Sequence, residues 1–319
     1  MNALPVVVIA RVLPDAGIER LEGRCELRIG GLDAGRDAVL ELVRGADALI
    51  ADPTVPVGAE VLEAAGPQLR VVANFAVGYD NVDLDACRER GVAVTNTPDV
   101  LTNATAELAL ALTLAAARAL PAAERDLRSG GWRGWDPRGY LGTELSGAAF
   151  GIVGLGRIGR RYAELVRPLA GEILYAGRTS RTDAEAELGA RRVAIGELFE
   201  TADVVSLHLP ATEETRWMVN RERLEAMKPT AILVNTSRGA LVEPGALAAA
   251  LEEGSIAAAG LDVYVHEPEV EPELLAAPNA VLLPHIGSAT ERARSGMARL
   301  AADNALAAVE GRPFLTPVE

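Results

Sequence analysis

Short apolar runs rich in Val, Ile and Ala recur along the chain, and stretches rich in Ala, Leu, Glu and Arg lie between most of them. In the first third, "VVVIA" (6–10), "ALIAD" (48–52), "VVANF" (71–75) and "VAVTN" (92–96) read as strands. Short helical pieces such as "GAEVLEAAG" and "LDACRERG" separate them. A long helical pattern runs from about Thr102 to Ser129, and "GGWRGWDPRGYLG" after it is the clearest break in the chain. A second series follows: "FGIVG" (150–154), "EILYA" (172–176), "ARRVA" (190–194), "DVVSLHL" (203–209), "AILVNTS" (231–237), "AAAGLDV" (257–263) and "AVLLPH" (280–285). Apolar strands alternating with helices predict parallel, doubly wound sheets. The strands are too many for one sheet of ordinary size. The pattern therefore predicts an α/β fold of two domains, and 319 residues suffice for both.

Composition narrows the function classes. The net charge is −14, which argues against a nucleic-acid partner and requires any anionic substrate to meet a local positive site. Cys25 and Cys87 are the only cysteines, so neither a disulfide framework nor a zinc site is expected, and a reducing compartment fits. "MNALPVVVIARVLPD" has no basic leader, and the apolar run 108–117 is too short to span a bilayer. A cytoplasmic protein without a metal is the expectation.

Gly154, Gly156 and Gly159 form G-x-G-x-x-G between a strand-like run, "FGIV", and a helical one, "RIGRRYAELVRPL". That context makes the motif a dinucleotide fingerprint. The first glycine serves the turn, the second the approach of the pyrophosphate, the third the packing of helix on strand. An acid that binds the ribose 2′-hydroxyl normally stands about 20 residues on. Here the second strand leads instead into Gly177, Arg178, Thr179, Ser180 and Arg181. Arginine binds a phosphate with charge-assisted hydrogen bonds, and the two hydroxyls add donors. NADP(H) is therefore the preferred cofactor, with NAD(H) possible.

A nicotinamide enzyme acting on a carbonyl needs an anchor and a proton donor. The chain has three histidines, His208, His266 and His285. His285 ends an apolar strand, where ligands bind in open α/β sheets, and His208 is the second candidate by the same criterion. Arg238 follows "ILVNTS" at another strand end, and its planar fork suits a carboxylate. Glu267, if it meets His285, would favour the imidazolium form and so the role of acid.

"NFAVGYDNVDLDAC", "VTNTPDVLTNATAELALAL", "GIVGLGRIG", "LVNTSRGALVE", "GLDVYVHEPE" and "PHIGSAT", in that order, resemble the D-isomer-specific 2-hydroxyacid dehydrogenase family over nearly the whole chain. "NFAVGYDN", "TNTPDVLTNATAE" and "GRTSR" are most similar to its glyoxylate/hydroxypyruvate reductase branch. The resemblance implies Arg238 to orient the keto acid, His285 as acid/base and Glu267 as its partner. It implies a flavodoxin-like substrate domain of residues 1–99 plus 289–319. The cofactor domain would be residues 100–288, with a dimerisation arm at about 102–145 and the active site in the interdomain cleft. Val77 and Gly78 match the loop whose N–H groups take the substrate carboxylate. Thr105 and Asp262 match cofactor-contacting positions. Arg157, Ile158, Pro210, Thr236 and Gly287 are further candidate cofactor contacts. Homologues are typically homodimers, and Trp135 would reach the partner's site. The implied reaction is NADPH-dependent reduction of glyoxylate and hydroxypyruvate to glycolate and D-glycerate. Phosphoglycerate dehydrogenase and phosphite dehydrogenase are the alternative enzymes, although Val77 stands where the latter carry Lys. A nucleotide-sensing, corepressor-like binding protein is the alternative of another class.

Overall fold

A computed structural model describes residues 3–318. The chain divides into two compact units: one takes the chain up to Leu101 and again from Ser288, the other is Thr102–Gly287. Twelve strands are present among the described residues. The first unit holds β1 (Val6–Ile9), β2 (Glu26–Ile29), β3 (Ala48–Ala51), β4 (Val71–Asn74) and β5 (Ala93–Thr95). They pair in parallel in the order β2-β1-β3-β4-β5, the flavodoxin-like doubly wound order. The strand β2, "ELRI", is absent from the apolar pattern because it lies at the sheet edge, where its residues stay partly or fully exposed.

The pleat of β1 shows why both faces must be covered. Val7 and Ile9 pack with Ala301, Ala305 and Leu306 of the helix Glu291–Val309, while Val8 belongs to a separate cluster with Val39, Val61 and Leu62 on the other face. Continuous Val/Ile/Ala strands are what a sheet covered on both faces requires. The alanine-rich sequence of the last helix permits close seating. Ala298 lies so near Gly17 that a Cβ there would meet it at 2.9 Å.

The second unit holds β6 (Ala148–Val153), β7 (Ala170–Ala176), β8 (Ala190–Arg192), β9 (Val204–Leu207), β10 (Ile232–Asn235), β11 (Ala258–Leu261) and β12 (Ala280–Leu282). Their parallel order is β12-β11-β10-β9-β6-β7-β8. Phe150 and Ile152 of β6 join Leu112 and Tyr162 on one face, and Val153 joins Leu198 and Phe199 on the other. The strand order reverses between β6 and β9, and this switch point opens a crevice at the carboxyl ends of both strands.

The helical pattern 102–129 is two helices, Thr102–Ala117 and Leu120–Ser129, bent by 64°. Pro121 is the cause. In a continuous helix its ring would clash with the carbonyl of Ala117 and its missing N–H would leave that carbonyl unbonded. Instead Ala119 turns left-handed at φ 48°, and the Ala117 carbonyl accepts the Thr143 N–H at 2.8 Å. Among the described residues no single helix is long and apolar enough to cross a membrane.

Beneath the switch point lies a buried polar group. Tyr162 has no exposed surface and shares a 2.8 Å hydrogen bond with Thr113, and its ring lies 5.1 Å from that of His208. The Nε2 of His208 bonds the Ser206 hydroxyl at 2.8 Å. Burial lowers the His208 pKa to about 3 from 6.5. The unfolded chain therefore takes up a proton here that the folded chain refuses. The stability His208 contributes is complete above pH 6.5 and declines as pH falls from 6.5 toward 3. Thermal unfolding followed across that range should show a falling midpoint in the wild type, with a shallower fall in His208→Gln.

Candidate active site

The second unit places its functional candidates after the carboxyl ends of its strands. The glycine turn follows β6, Arg178–Arg181 follow β7, Pro210 lies beyond β9, Thr236 and Arg238 follow β10, Asp262 and Glu267 follow β11, and His285 follows β12. Thr105 comes from the buried side of the helix Thr102–Ala117.

Three of these residues meet in one hydrogen-bonded and charged cluster. His285 Nδ1 lies 2.7 Å from Glu267 Oε2. The other carboxylate oxygen, Oε1, accepts the Tyr264 N–H at 2.9 Å. Burial alone would raise the Glu267 pKa. The hydrogen bonds from His285 and Tyr264, with the charges of His285 and Arg238, outweigh it and hold the carboxyl below the ordinary glutamate range. Glu267 is thus a carboxylate at neutral pH. Because Nδ1 is engaged, Nε2 is the ring nitrogen left to face a substrate, and 41% of the His285 side chain is exposed.

Local backbone features bring the cluster together. Gly239, next to Arg238, lies against the 264–265 backbone so closely that a Cβ would stand 2.0 Å from the Tyr264 carbonyl carbon. Any larger residue would separate the Arg238 and Glu267 loops. Arg238 Nη1 donates to the Ser237 carbonyl at 2.8 Å, and the Asn235 amide donates to the Arg238 carbonyl at 2.8 Å. Tyr264 ties its loop to the end of β12 by donating to the Leu283 carbonyl at 2.9 Å, and burial pushes its pKa up to about 12.

His285 itself is left-handed, at φ 53°, a conformation that histidine adopts more readily than most residues but still at a cost. The two N–H groups after it are held by one side chain. Asp262 Oδ1 accepts from Ile286 and Oδ2 from Gly287, both at 2.7 Å. Burial raises the Asp262 pKa, opposed by these bonds and by the charge of His285. The Gly287 carbonyl accepts the Thr105 hydroxyl at 3.2 Å. Thr105, Asp262 and Gly287, which the sequence offers as separate cofactor contacts, thus form one clamp.

The remaining cofactor candidates fit a dinucleotide. A Cβ at Gly159 would lie 2.1 Å from the Gly154 carbonyl oxygen, so the helix Arg157–Val166 sits directly on the turn. A Cβ at Gly156 would meet nothing within 4 Å, which leaves that side of its backbone open to a pyrophosphate. Arg157 and Ile158 begin that helix. The Thr236 hydroxyl is buried with no hydrogen-bond partner among the described residues. The Pro210 carbonyl accepts the Thr215 hydroxyl at 2.9 Å. In the loop after β7, Ser180 donates to Glu185 at 2.8 Å. Asp183, the nearest acid, is bound by Arg160.

His208 bonds Ser206, and its ring lies against that of Tyr162. His266 is exposed and contributes a carbonyl to the Glu269 N–H at 2.8 Å. Among the described residues no group of three or more His, Cys, Asp or Glu could hold a metal.

The first unit carries Val77 and Gly78 in a loop after β4. The Ala76 carbonyl accepts the Thr97 N–H, the Val77 carbonyl the Asn96 amide and the Gly78 carbonyl the Asn74 amide, each at 2.8 Å. In a trans peptide the N–H points opposite the C=O. The N–H groups of Val77, Gly78 and Tyr79 are therefore turned away from these partners. Sequence reading misses Asn74 and Asn96, as it misses Tyr264. The available signal is an amide ending or following a buried strand, where an apolar side chain would otherwise stand.

A doubly wound sheet with a dinucleotide cradle and a histidine–carboxylate pair beside an arginine defines a nicotinamide-dependent oxidoreductase. Residues 110–287 match the family model "D-isomer specific 2-hydroxyacid dehydrogenase, NAD binding domain". A glyoxylate reductase of Thermococcus onnurineus is 47% identical over 313 residues, covering 96% of this chain and 93% of that one. The crystal structure of an NADPH-dependent glyoxylate/hydroxypyruvate reductase from Sinorhizobium meliloti, in complex with NADP and malonate, is similar at TM-score 0.87 and 35% identity. That match covers 99% of this chain and 97% of the other. A glyoxylate reductase from Paecilomyes thermophila is similar at TM-score 0.89 and 34% identity, covering 100% of this chain and 99% of that one. The chain belongs to the D-isomer specific 2-hydroxyacid dehydrogenase family.

The glycine turn gives a test that separates cofactor binding from folding. Gly156→Ala adds a methyl group where the protein has open space, so its unfolding midpoint should match the wild type while nicotinamide-dinucleotide affinity falls. Gly159→Ala should lower both, because its methyl meets backbone. Calorimetric unfolding and a binding titration on each variant check the contrast.

Proposed function

We infer that this chain reduces small 2-keto acids, glyoxylate and hydroxypyruvate, to glycolate and D-glycerate with NADPH. The observation that carries the reading is the His285–Glu267 pair at 2.7 Å within the electrostatic reach of Arg238. Arg238 supplies a planar, permanently charged fork for the keto acid. The N–H groups of Val77 and Gly78, in peptides whose carbonyls are held by the Thr97 N–H and the Asn96 amide, supply donors for its carboxylate. His285 donates a proton from Nε2 to the carbonyl oxygen, and Glu267 keeps a negative charge and a fixed orientation against the ring. The glycine turn after β6 would hold the dinucleotide, and its nicotinamide would supply a hydride to the carbonyl carbon. The relatives named for glyoxylate reduction support the substrate class.

The cofactor preference rests on Arg178, Thr179 and Arg181 where an acid would select NAD(H). The reading includes a cytoplasmic homodimer with residues 102–145 as its arm and Trp135 entering the partner's site. Supporting it, Leu120, Leu127, Trp132, Trp135, Tyr140 and Leu141 are all exposed along that segment, Trp135 at 84%.

Initial rates with glyoxylate and hydroxypyruvate, each with NADPH and with NADH, test the reading. Rapid turnover with NADPH is expected. Arg238→Ala should lower kcat/KM by roughly 10²-fold or more, because it removes a donor to the developing charge. Faster turnover with NADH overturns the cofactor assignment. Tight cofactor binding without turnover of either acid overturns the substrate class.

A further inference from the structure

The loop after β7 carries more positive charge than its sequence shows, and the extra charge comes from another strand. In this acidic chain, two arginines near that edge of the sheet are matched with carboxylates. Arg160 binds Glu164, Asp183 and Glu187. Arg191 binds Glu172 at 2.9 Å and Glu197 at 2.8 Å. Arg178, Arg181 and Arg192 differ: among the described residues none of the three forms an ion pair with a carboxylate.

Arg192 ends β8 and stands opposite Tyr175 in the β7–β8 register. Its Nη2 donates to the carbonyls of Gly177 at 2.9 Å and Arg178 at 3.1 Å. One nitrogen thus fixes the start of the loop, and the rest of the fork remains for a ligand. The far end of the loop is fixed independently. The Arg181 N–H donates to the Tyr175 oxygen at 2.8 Å, and the Tyr175 hydroxyl in turn donates to Glu185. Glu185 also takes the Ser180 hydroxyl at 2.8 Å. The Ser180 proton is therefore directed at a carboxylate. That carboxyl is held below its ordinary range by these two hydroxyls, against burial and aided by the charge of Arg192.

We propose that Arg192 is a third cation of the site for the nucleotide 2′-phosphate, together with Arg178 and Arg181, and that Ser180 belongs to the frame of the loop and does not bind the phosphate. The proposal rests on the NADPH reading above. A phosphate monoester dianion with three outward oxygens matches guanidinium forks carried by the loop after β7 and by the adjacent strand β8, whose Arg192 fork sits on the carbonyls of Gly177 and Arg178. The same nitrogen contacts that aim Arg192 also stop residues 177 and 178 from turning away.

Isothermal titration of adenosine 2′,5′-bisphosphate and of adenosine 5′-monophosphate isolates the phosphate without turnover. The wild type should bind the bisphosphate more tightly. Arg192→Gln should weaken the bisphosphate by about ten-fold or more, the worth of a charge-assisted hydrogen bond, and leave the monophosphate nearly unchanged. Arg192→Lys should restore part of the loss, and Ser180→Ala should keep the wild-type preference. Equal weakening of both nucleotides in Arg192→Gln would mean a packing role and overturns the proposal. So does an unchanged bisphosphate affinity, or a Ser180→Ala loss as large as that of Arg192→Gln. A wild type that prefers the monophosphate overturns the NADPH reading as well, whereas a bisphosphate preference indifferent to Arg192 overturns this proposal alone.

Discussion

Asp262 has no exposed surface, and both its oxygens accept backbone N–H groups from the two residues that follow His285. Burying a carboxylate costs several kcal/mol, and short charge-assisted hydrogen bonds are what offset it. The result is a fixed left-handed turn at His285, a backbone state that costs on the order of 1–3 kcal/mol for a non-glycine residue and persists where the surroundings determine it. From that turn the imidazole reaches Glu267, whose second oxygen is held by the backbone of Tyr264. Tyr264 returns to the end of β12 through its hydroxyl, so the loops after β11 and β12 hold each other.

The sheet explains why residues 18 to 47 positions apart can act together. Parallel strands deliver every following loop to the same edge, and neighbours β10, β11 and β12 deliver Arg238, Glu267 and His285. The same edge carries the glycine turn after β6 and the arginine loop after β7. Beneath the turn, His208 is kept neutral by burial and supports it: the Cβ of His208 is among the atoms that a side chain at Gly159 would meet. A histidine at a strand end is therefore not by itself a proton donor; its surroundings decide.

Much of this is legible in the chain. Buried parallel strands are continuous apolar runs, so β1, β3 and the inner strands of the larger sheet stand out, and the glycine spacing marks the turn. The edge strand β2 does not stand out, because half-exposed residues carry no apolar run. The bend at Ala119 was available in Pro121 but is hidden by the helical pattern on both sides of it. Arg238, Glu267 and His285 are visible as residue types at strand ends. Their contact is not visible, because it depends on a left-handed turn and on Gly239 lying against Tyr264. Asn74, Asn96 and Arg192 are hidden for a related reason. Each acts on the backbone of a loop it does not belong to, and neither spacing nor periodicity encodes such a bond.

The central claim is that Glu267 acts through the His285 imidazole. A double-mutant cycle on keto-acid reduction, with cofactor affinity measured for every variant, tests it most directly. The account predicts that His285→Ala and Glu267→Gln each lower kcat/KM strongly with cofactor affinity intact. It predicts further that Glu267→Gln adds little in the His285→Ala background. If the two losses simply multiply, or if His285→Ala turns over at a near-normal rate, the pair is not the proton-donating unit described here.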